Sequence, residues 1–390
     1  MKNLFDKPFN TSKKEEKDNI NKDSKKSLEN DINKLKDEKG LELIKKMLEI
    51  QQKPEKKKED YQQISELAKK IENLFSQEFF CETLEEFEDL KNSSLYDKEN
   101  KQWNKWLKKP DEFSKEETLS TDRYSNTQLL GIIVEGLFGN KEKAQKRLKK
   151  LQDTPLYNQN RKEWVSMMND QKEVKGLSFY SDSQLLEIIA NAILNDKNLS
   201  KRKLEELKES HFYNEDKKLW NYYYYPAGFS ESINTDIYTH TQLLGILAEA
   251  AIGNKNEAQQ KLEELKNSPL YDKEKKEWKE FVYEIDKKEN GSIDLYHYSY
   301  TQLLGVLTEF ILGNKNEAQQ KLEELKNSPL YDKENKKWNL RINNRSNEID
   351  EKKQQNVYYS DIQLLSIIVN AINENPDKFI KIFLGEENKK

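Results

Sequence analysis

The sequence predicts an all-α fold built from six helical hairpins, and three observations predict it. A tyrosine recurs about every 60 residues, as Tyr61, Tyr124, Tyr180, Tyr238, Tyr298 and Tyr359. A glutamine follows four residues later in five copies, as Gln128, Gln184, Gln242, Gln302 and Gln363, with Ser65 in the first. A second tyrosine and a tryptophan end the first five units, as Tyr271 and Trp278 do, and the block Gly253 to Glu274 recurs unchanged as Gly313 to Glu334. A fixed period with two helices per unit is the mark of a stacked array.

The array occupies residues 60–390. Residues 1–59 are mostly Lys, Glu, Asp, Asn and Ser. Such a tail cannot bury enough apolar surface to offset its ordering entropy. It is expected to be disordered apart from a short amphipathic helix near 40–50, where Leu41, Ile44 and Leu48 share a face. Phe5 and Phe9 mark a second docking point of that tail.

The fourth copy, from Tyr238 to Trp278, shows each element in order. Thr239 and Gln242 have capping-box spacing, with Tyr238 and Leu243 as a hydrophobic staple. Ser/Gln pairs repeat this in the other copies, so capping competes with ligand contact as the job of the glutamines. Gly253 suits the left-handed residue that ends the first helix. Asn254 then reads as the N-cap of the second, with Glu257 three residues on. That helix stops near Pro269. Two aromatics flanking a charged turn, Tyr271 and Trp278, predict a short aromatic turn or β-hairpin between units.

The two helices differ in kind. Leu243, Leu244, Ile246, Leu247, Ala248, Ala250 and Ala251 leave only a narrow polar stripe on the first, so it is an inner helix. The second carries only Ala258, Leu262 and Leu265 as an apolar stripe, so it is an outer one. The inner stripe offers Glu72, Glu135, Asn191, Glu249, Glu309 and Asn370 seven residues after the Gln position, with Asp182 and Asp361 two residues before it. Carboxylates on a concave, partly dry wall bind cations, sugars or basic peptides, or do acid–base chemistry if burial separates their pKa values. Glu135, Glu249 and Glu309 are the candidate catalytic groups. The remaining stripe residues are candidate ligand contacts. So are the aromatics of two unusual connectors, Tyr222, Tyr223, Tyr224 and Tyr225 in the third, and Tyr296, His297 and Tyr300 around the end of the fourth.

Together these features resemble units of α/α toroid proteins: a Tyr-Ser-x-x-Gln-Leu-Leu-Gly inner helix, a Gly-Asn turn, an Ala-led outer helix and a Leu-Tyr-Asp…Trp loop. These six-hairpin barrels include sugar epimerases, glycoside hydrolases and terpene cyclases. The resemblance implies a closed (α/α)6 toroid over about residues 61 to 384. The Gly-Asn-x-x-x-Ala pattern is also similar to tetratricopeptide units, which implies an open α-solenoid as the alternative. No catalytic motif of either family matches residue by residue. Epimerase-like members use lumenal histidines, whereas His211, His240 and His297 stand at three different repeat positions.

Two functions follow. The first is a non-catalytic repeat scaffold binding a protein or saccharide through its Tyr-rich loops, with Tyr223 and Tyr225 exposed. The second is a carbohydrate-active toroid enzyme of hydrolase or epimerase type. It requires a deep pocket in which at least two of Glu135, Glu249 and Glu309 converge. The near identity of copies four and five favours the scaffold, because a catalytic centre needs particular residues in particular roles. The sequence shows no Gly-rich phosphate loop, Gly-x-Ser-x-Gly elbow or His cluster, so no cofactor or metal is expected. The net charge of −4 gives no pull toward nucleic acid. No apolar run is long enough for a membrane span or a signal peptide, and Cys81 is the only cysteine. A cytoplasmic protein is therefore expected.

Overall fold

A computed structural model describes residues 38–51, 53, 57–109, 116–174, 178–227, 230–234, 236–282, 296–343 and 357–386; Phe5 and Phe9 lie outside them. The chain divides into two compact units between Cys81 and Glu82. One helix, Lys58–Asn92, runs through both this division and the boundary expected near residue 60.

The first unit contains α1, Glu38–Gln51, and most of α2, Lys58–Asn92. Met47 of α1 is buried, and Lys53 pairs with Asp60 at 2.7 Å. The uninterrupted α2 corrects the first copy of the array. Residues 61 to 92 contain neither Gly nor Pro, so nothing there turns the helix, and Tyr61 is 62% exposed on it. The first copy is not a hairpin.

The second unit holds five inner helices: α3 (Ser125–Leu137), α5 (Ser181–Ile193), α7 (Thr239–Ile252), α9 (Ser299–Leu312) and α11 (Ser360–Glu374). Each packs on the next, and α11 packs back on α3. Among the described residues the inner wall is thus a closed ring of five, not six. Outer helices α4 (Lys141–Gln152), α6 (Lys197–Lys208), α8 (Lys255–Lys266) and α10 (Lys315–Lys326) each pack on the inner helix before them. Their buried residues are as narrow as the sequence implied, for example Ala258, Leu262 and Leu265 on α8.

The fifth unit is assembled from both ends of the second unit. Asn370 of α11 donates to Glu86 of α2 at 3.2 Å, where other inner helices meet their outer partner. Phe87 and Leu90 are buried beside them. The strand Val357–Tyr359 pairs antiparallel with Trp106–Lys108, and the Ser360 amide donates to the Lys105 carbonyl. The last helix, α12 (Pro376–Phe383), packs against α3, α5, α9 and α11. It buries Phe379, Ile382 and Phe383 and sets Phe379 edge-on to Phe138 at 6.1 Å. It therefore closes the ring at the C-terminal ends of the inner helices.

The repeated residues explain the geometry, though not by capping. The five inner helices start at an N-cap tyrosine with no side-chain cap bond. The glutamine instead clamps the tryptophan backbone of the preceding unit: Gln242 accepts from the Trp220 amide at 2.9 Å and donates to its carbonyl at 2.8 Å. Gln128, Gln184, Gln302 and Gln363 do the same to Trp103, Trp164, Trp278 and Trp338. Each tryptophan ends a two-stranded hairpin, such as Tyr271–Asp272 with Glu277–Trp278. The indoles of Trp103, Trp220 and Trp278 lie on the glycine three residues after the clamp, Gly131, Gly245 and Gly305; a Cβ on Gly245 would stand 2.0 Å from the Trp220 Nε1. The helix then ends at Gly253 with φ 103°. Asn254 does not cap the next helix; it donates to Glu249 at 2.9 Å. Gln242→Leu should cost about 2–4 kcal/mol, since it strands a buried amide and a buried carbonyl. The shift of the urea midpoint measures it.

Candidate functional site

The inner helices place two kinds of residue at opposite ends of one wheel. Positions nine apart lie about 180° from one another at 100° per residue. The residue two before each glutamine and the residue seven after it therefore face opposite ways.

The second set faces the outer layer. Glu135 pairs with Arg147 of α4 at 2.9 Å. Glu249 meets Lys208 and Lys261 at 2.5 and 3.0 Å, and Glu309 meets Lys266 at 2.5 Å. These carboxylates fasten inner helices to outer ones, which corrects their assignment as convergent catalytic groups. Asn191 is buried on the same face, and Asn370 holds Glu86. Glu72 belongs to α2 and not to an inner helix. An open hollow on this outer wall is lined by Tyr271, Trp278, Glu309, Glu317 and Lys321, with Glu309 paired to Lys266 and Lys321 to Glu277.

The first set is Asn126, Asp182, His240, Tyr300 and Asp361, five different residues at one repeat position. It lies at the N-terminal mouth of the ring. A second set joins it from the connectors, two residues after each tryptophan: Lys105, Ser166, Tyr222, Glu280 and Leu340. Their carbonyls are held by the first amide of an inner helix, as Glu280 is by Thr239, so their side chains stand beside the helix starts.

His240 is the centre of the mouth. Its Nδ1 lies 2.6 Å from Glu280 Oε1 and its Nε2 3.1 Å from Asp182 Oδ2. Each carboxylate is oriented by the neighbouring helix. Thr241 donates to Asp182 at 2.7 Å, and Thr301 donates to Glu280. Desolvation opposes a charge on the ring, but the two carboxylates outweigh it and hold the imidazolium up to about 10. With both nitrogens donated to carboxylates, His240 is a fixed cation and not a base.

Asp361 differs. It is part exposed yet densely walled by protein, as a group at an open mouth is. Burial pushes its carboxyl up to about 6, against the opposing pull of the Ile362 amide, Lys105 and His240. Tyr300 stands 6.0 Å from His240, edge to face. Its hydroxyl is buried with no hydrogen-bond partner among the described residues, and burial raises its pKa. Tyr222 stacks on Tyr238 at 3.9 Å and meets His240 edge-on at 5.4 Å. On the same face of α7 below His240, Leu244, Leu247 and Ala251 are buried.

The connector aromatics divide. Tyr223 packs on Tyr180 at 5.6 Å, and Tyr224 is buried against His211. Only Tyr225 of the four is exposed, at 40%. Tyr296 pairs by its backbone with Asn343, and His297 turns to Glu277 at 3.1 Å, outside the mouth. Among the described residues no group of three or more His, Cys, Asp or Glu is set to hold a metal ion, and no helix is long and apolar enough to cross a membrane. Sequence reasoning missed His240, Glu280 and Lys105.

No protein-family model matches the chain, and no curated protein does. Solved structures are similar to it, three of them as follows. A D-mannose isomerase is 11% identical over 77% of this chain and 98% of its own, with a TM-score of 0.53. The cellobiose 2-epimerase of Bacillus thermoamylovorans B4167 is 11% identical over 76% and 99%, with a TM-score of 0.48. A sugar epimerase from a ruminal bacterium is 12% identical over 75% and 98%, with a TM-score of 0.48. The expectation of a non-catalytic scaffold is corrected here. The similar structure with a TM-score of 0.53 is named as a D-mannose isomerase, and the Tyr-rich connector meant for docking is largely spent on packing. The chain has the helix-rich α/α toroid fold that its repeat units resemble.

Proposed function

We propose that the protein is a carbohydrate-active enzyme that transfers a proton on a sugar at the N-terminal mouth of its inner ring. The observation that carries this is the pairing, at one repeat position of adjacent inner helices, of Asp361, whose carboxyl burial pushes up to about 6, with Tyr300, whose buried hydroxyl has no hydrogen-bond partner among the described residues. A proton carrier works best when its pKa lies near the working pH. Asp361 takes the proton from a carbon next to the open-chain carbonyl and returns it. Tyr300 donates a hydrogen bond to the carbonyl oxygen as charge develops there. The His240 imidazolium, fixed between Asp182 and Glu280, supplies a preorganised positive charge in the same mouth. Tyr222 and Tyr238 give the sugar an aromatic face. The shared fold with a protein named D-mannose isomerase supports sugar chemistry as the class to test.

The test is proton NMR in deuterated buffer with a panel of aldoses, ketoses and β-linked disaccharides. Deuterium should enter the carbon next to the carbonyl of at least one of them. A folded chain that neither exchanges nor converts any member of the panel sinks the proposal.

A further inference from the structure

The mouth is unevenly charged. Its acidic side, Asp182 and Glu280, is occupied by His240. On the other side stand two cations held by phenols. Lys105 donates to the Tyr124 hydroxyl at 2.7 Å with its ammonium 4.1 Å from that ring. Arg341 donates to the Tyr298 hydroxyl at 2.6 Å with its guanidinium 5.4 Å from that ring. Both act on a third N-cap tyrosine, Tyr359, whose phenol burial raises and whose charged form Lys105 and Arg341 favour. Tyr359 pairs in the sheet with Trp106, next to Lys105.

Lys105 is the informative member. It is half-buried, and it forms no ion pair among the described residues. Lys203, Lys208, Lys261 and Lys266, which reach the carboxylates of the inner helices from the outer layer, each form an ion pair. A partly desolvated ammonium is stabilised by a nearby anion; the direct hydrogen bond of Lys105 goes to the neutral Tyr124 phenol, and Asp361 feels its charge only through space. The amides that begin α3 and α11 lie on the same side of the mouth and favour negative charge.

We infer that the substrate is an anionic sugar, a uronate or a sugar phosphate, whose charged group is bound by Lys105 with Arg341 beside it. The inference rests on the sugar-transforming function proposed above and narrows it. Anion binding leaves the reacting carbons of the same molecule toward Asp361, whose charge Lys105 and His240 both feel. The phenols of Tyr124 and Tyr298 hold the two cations in place when the anion departs.

Calorimetric titration of the full chain with D-mannose, D-mannuronate and D-mannose 6-phosphate tests it. One or both anionic sugars should bind at least about tenfold tighter than mannose at low salt, and the advantage should shrink at high salt. Whichever anion leads identifies the carboxylate or the phosphate as the recognised group. Lys105→Met should bring the ratio of anionic to neutral affinity close to one, while Lys105→Arg keeps it. Mannose binding as tightly as both anions in the wild-type chain overturns the inference and leaves the proposed function standing. A preference that survives Lys105→Met overturns the assignment to Lys105. Failure of all three sugars to bind overturns the inference together with the function it rests on.

Discussion

Replacing His240 by leucine is expected to cost the domain about 3–5 kcal/mol at neutral pH, because it leaves two buried carboxylates facing one another with no cation between them. Asp182 and Glu280 are 6% and 9% exposed, so water cannot take the place of the imidazolium. Leucine fills a similar volume, which keeps lost packing small. The charge gives the loss a pH signature. His240 is raised from the ordinary histidine range to about 10 in the folded chain. Its charged form therefore stabilises fully below about pH 6.5, and that contribution is lost as pH rises through 10. Urea midpoints of the two chains should differ most near pH 6.5 and converge toward pH 10. A gap that stays constant over this range would mean that His240 acts by packing alone.

The architecture was largely legible because its signals are local. Tyr, Gln, Gly and Trp recur at fixed spacing, and the two helices of a hairpin differ plainly in apolar coverage. The count was not legible in the same way. Tyr61 has the spacing of a repeat, but the turn after it is missing, and a tyrosine alone cannot break a helix. The Asn104 carbonyl that accepts from Ser360 lies 256 residues away, and no period in the sequence announces that contact. The glutamine was misread for a related reason. A capping box and a clamp on a distant tryptophan need the same residue at the same place, and only the tertiary partner separates them.

The site was half legible. Asp182 and Asp361 were singled out, yet grouped with Glu135, Glu249 and Glu309, which lie on the opposite face. A helix buried on nearly all sides has no polar stripe that identifies the lumen by itself. The nine-residue offset between the two sets already required that only one of them could point inward. The stronger signal was divergence. The position two before the glutamine carries Asn, Asp, His, Tyr and Asp in five otherwise similar helices. His240 looked isolated because the other histidines sit elsewhere in the repeat. Glu280 and Lys105 looked like ordinary charges in connectors, where most residues are charged.

Asp361→Asn should separate catalysis from stability more cleanly than any other change at the mouth. Asparagine keeps the shape and cannot carry the proton, so exchange into the sugar should fall by about 10²- to 10⁴-fold while binding persists. Stability should move the other way. The carboxyl is raised from 3.8 to about 6 by burial, so ionising it is harder in the folded chain than in the unfolded one. The resulting penalty is absent below about pH 4, grows between about pH 4 and 6, and is complete above pH 6. The variant should therefore gain about 1–2 kcal/mol above pH 6, a figure reduced for the side chain's partial exposure, and nothing at pH 4. Thermal melts at both pH values with exchange rates on the same samples decide the matter. An inactive variant that is also destabilised above pH 6 would show Asp361 to be a structural carboxylate satisfied by its neighbours. A proton carrier kept in an unfavourable ionisation state is recognised by the opposite pair of results, lower rate and higher stability in one substitution.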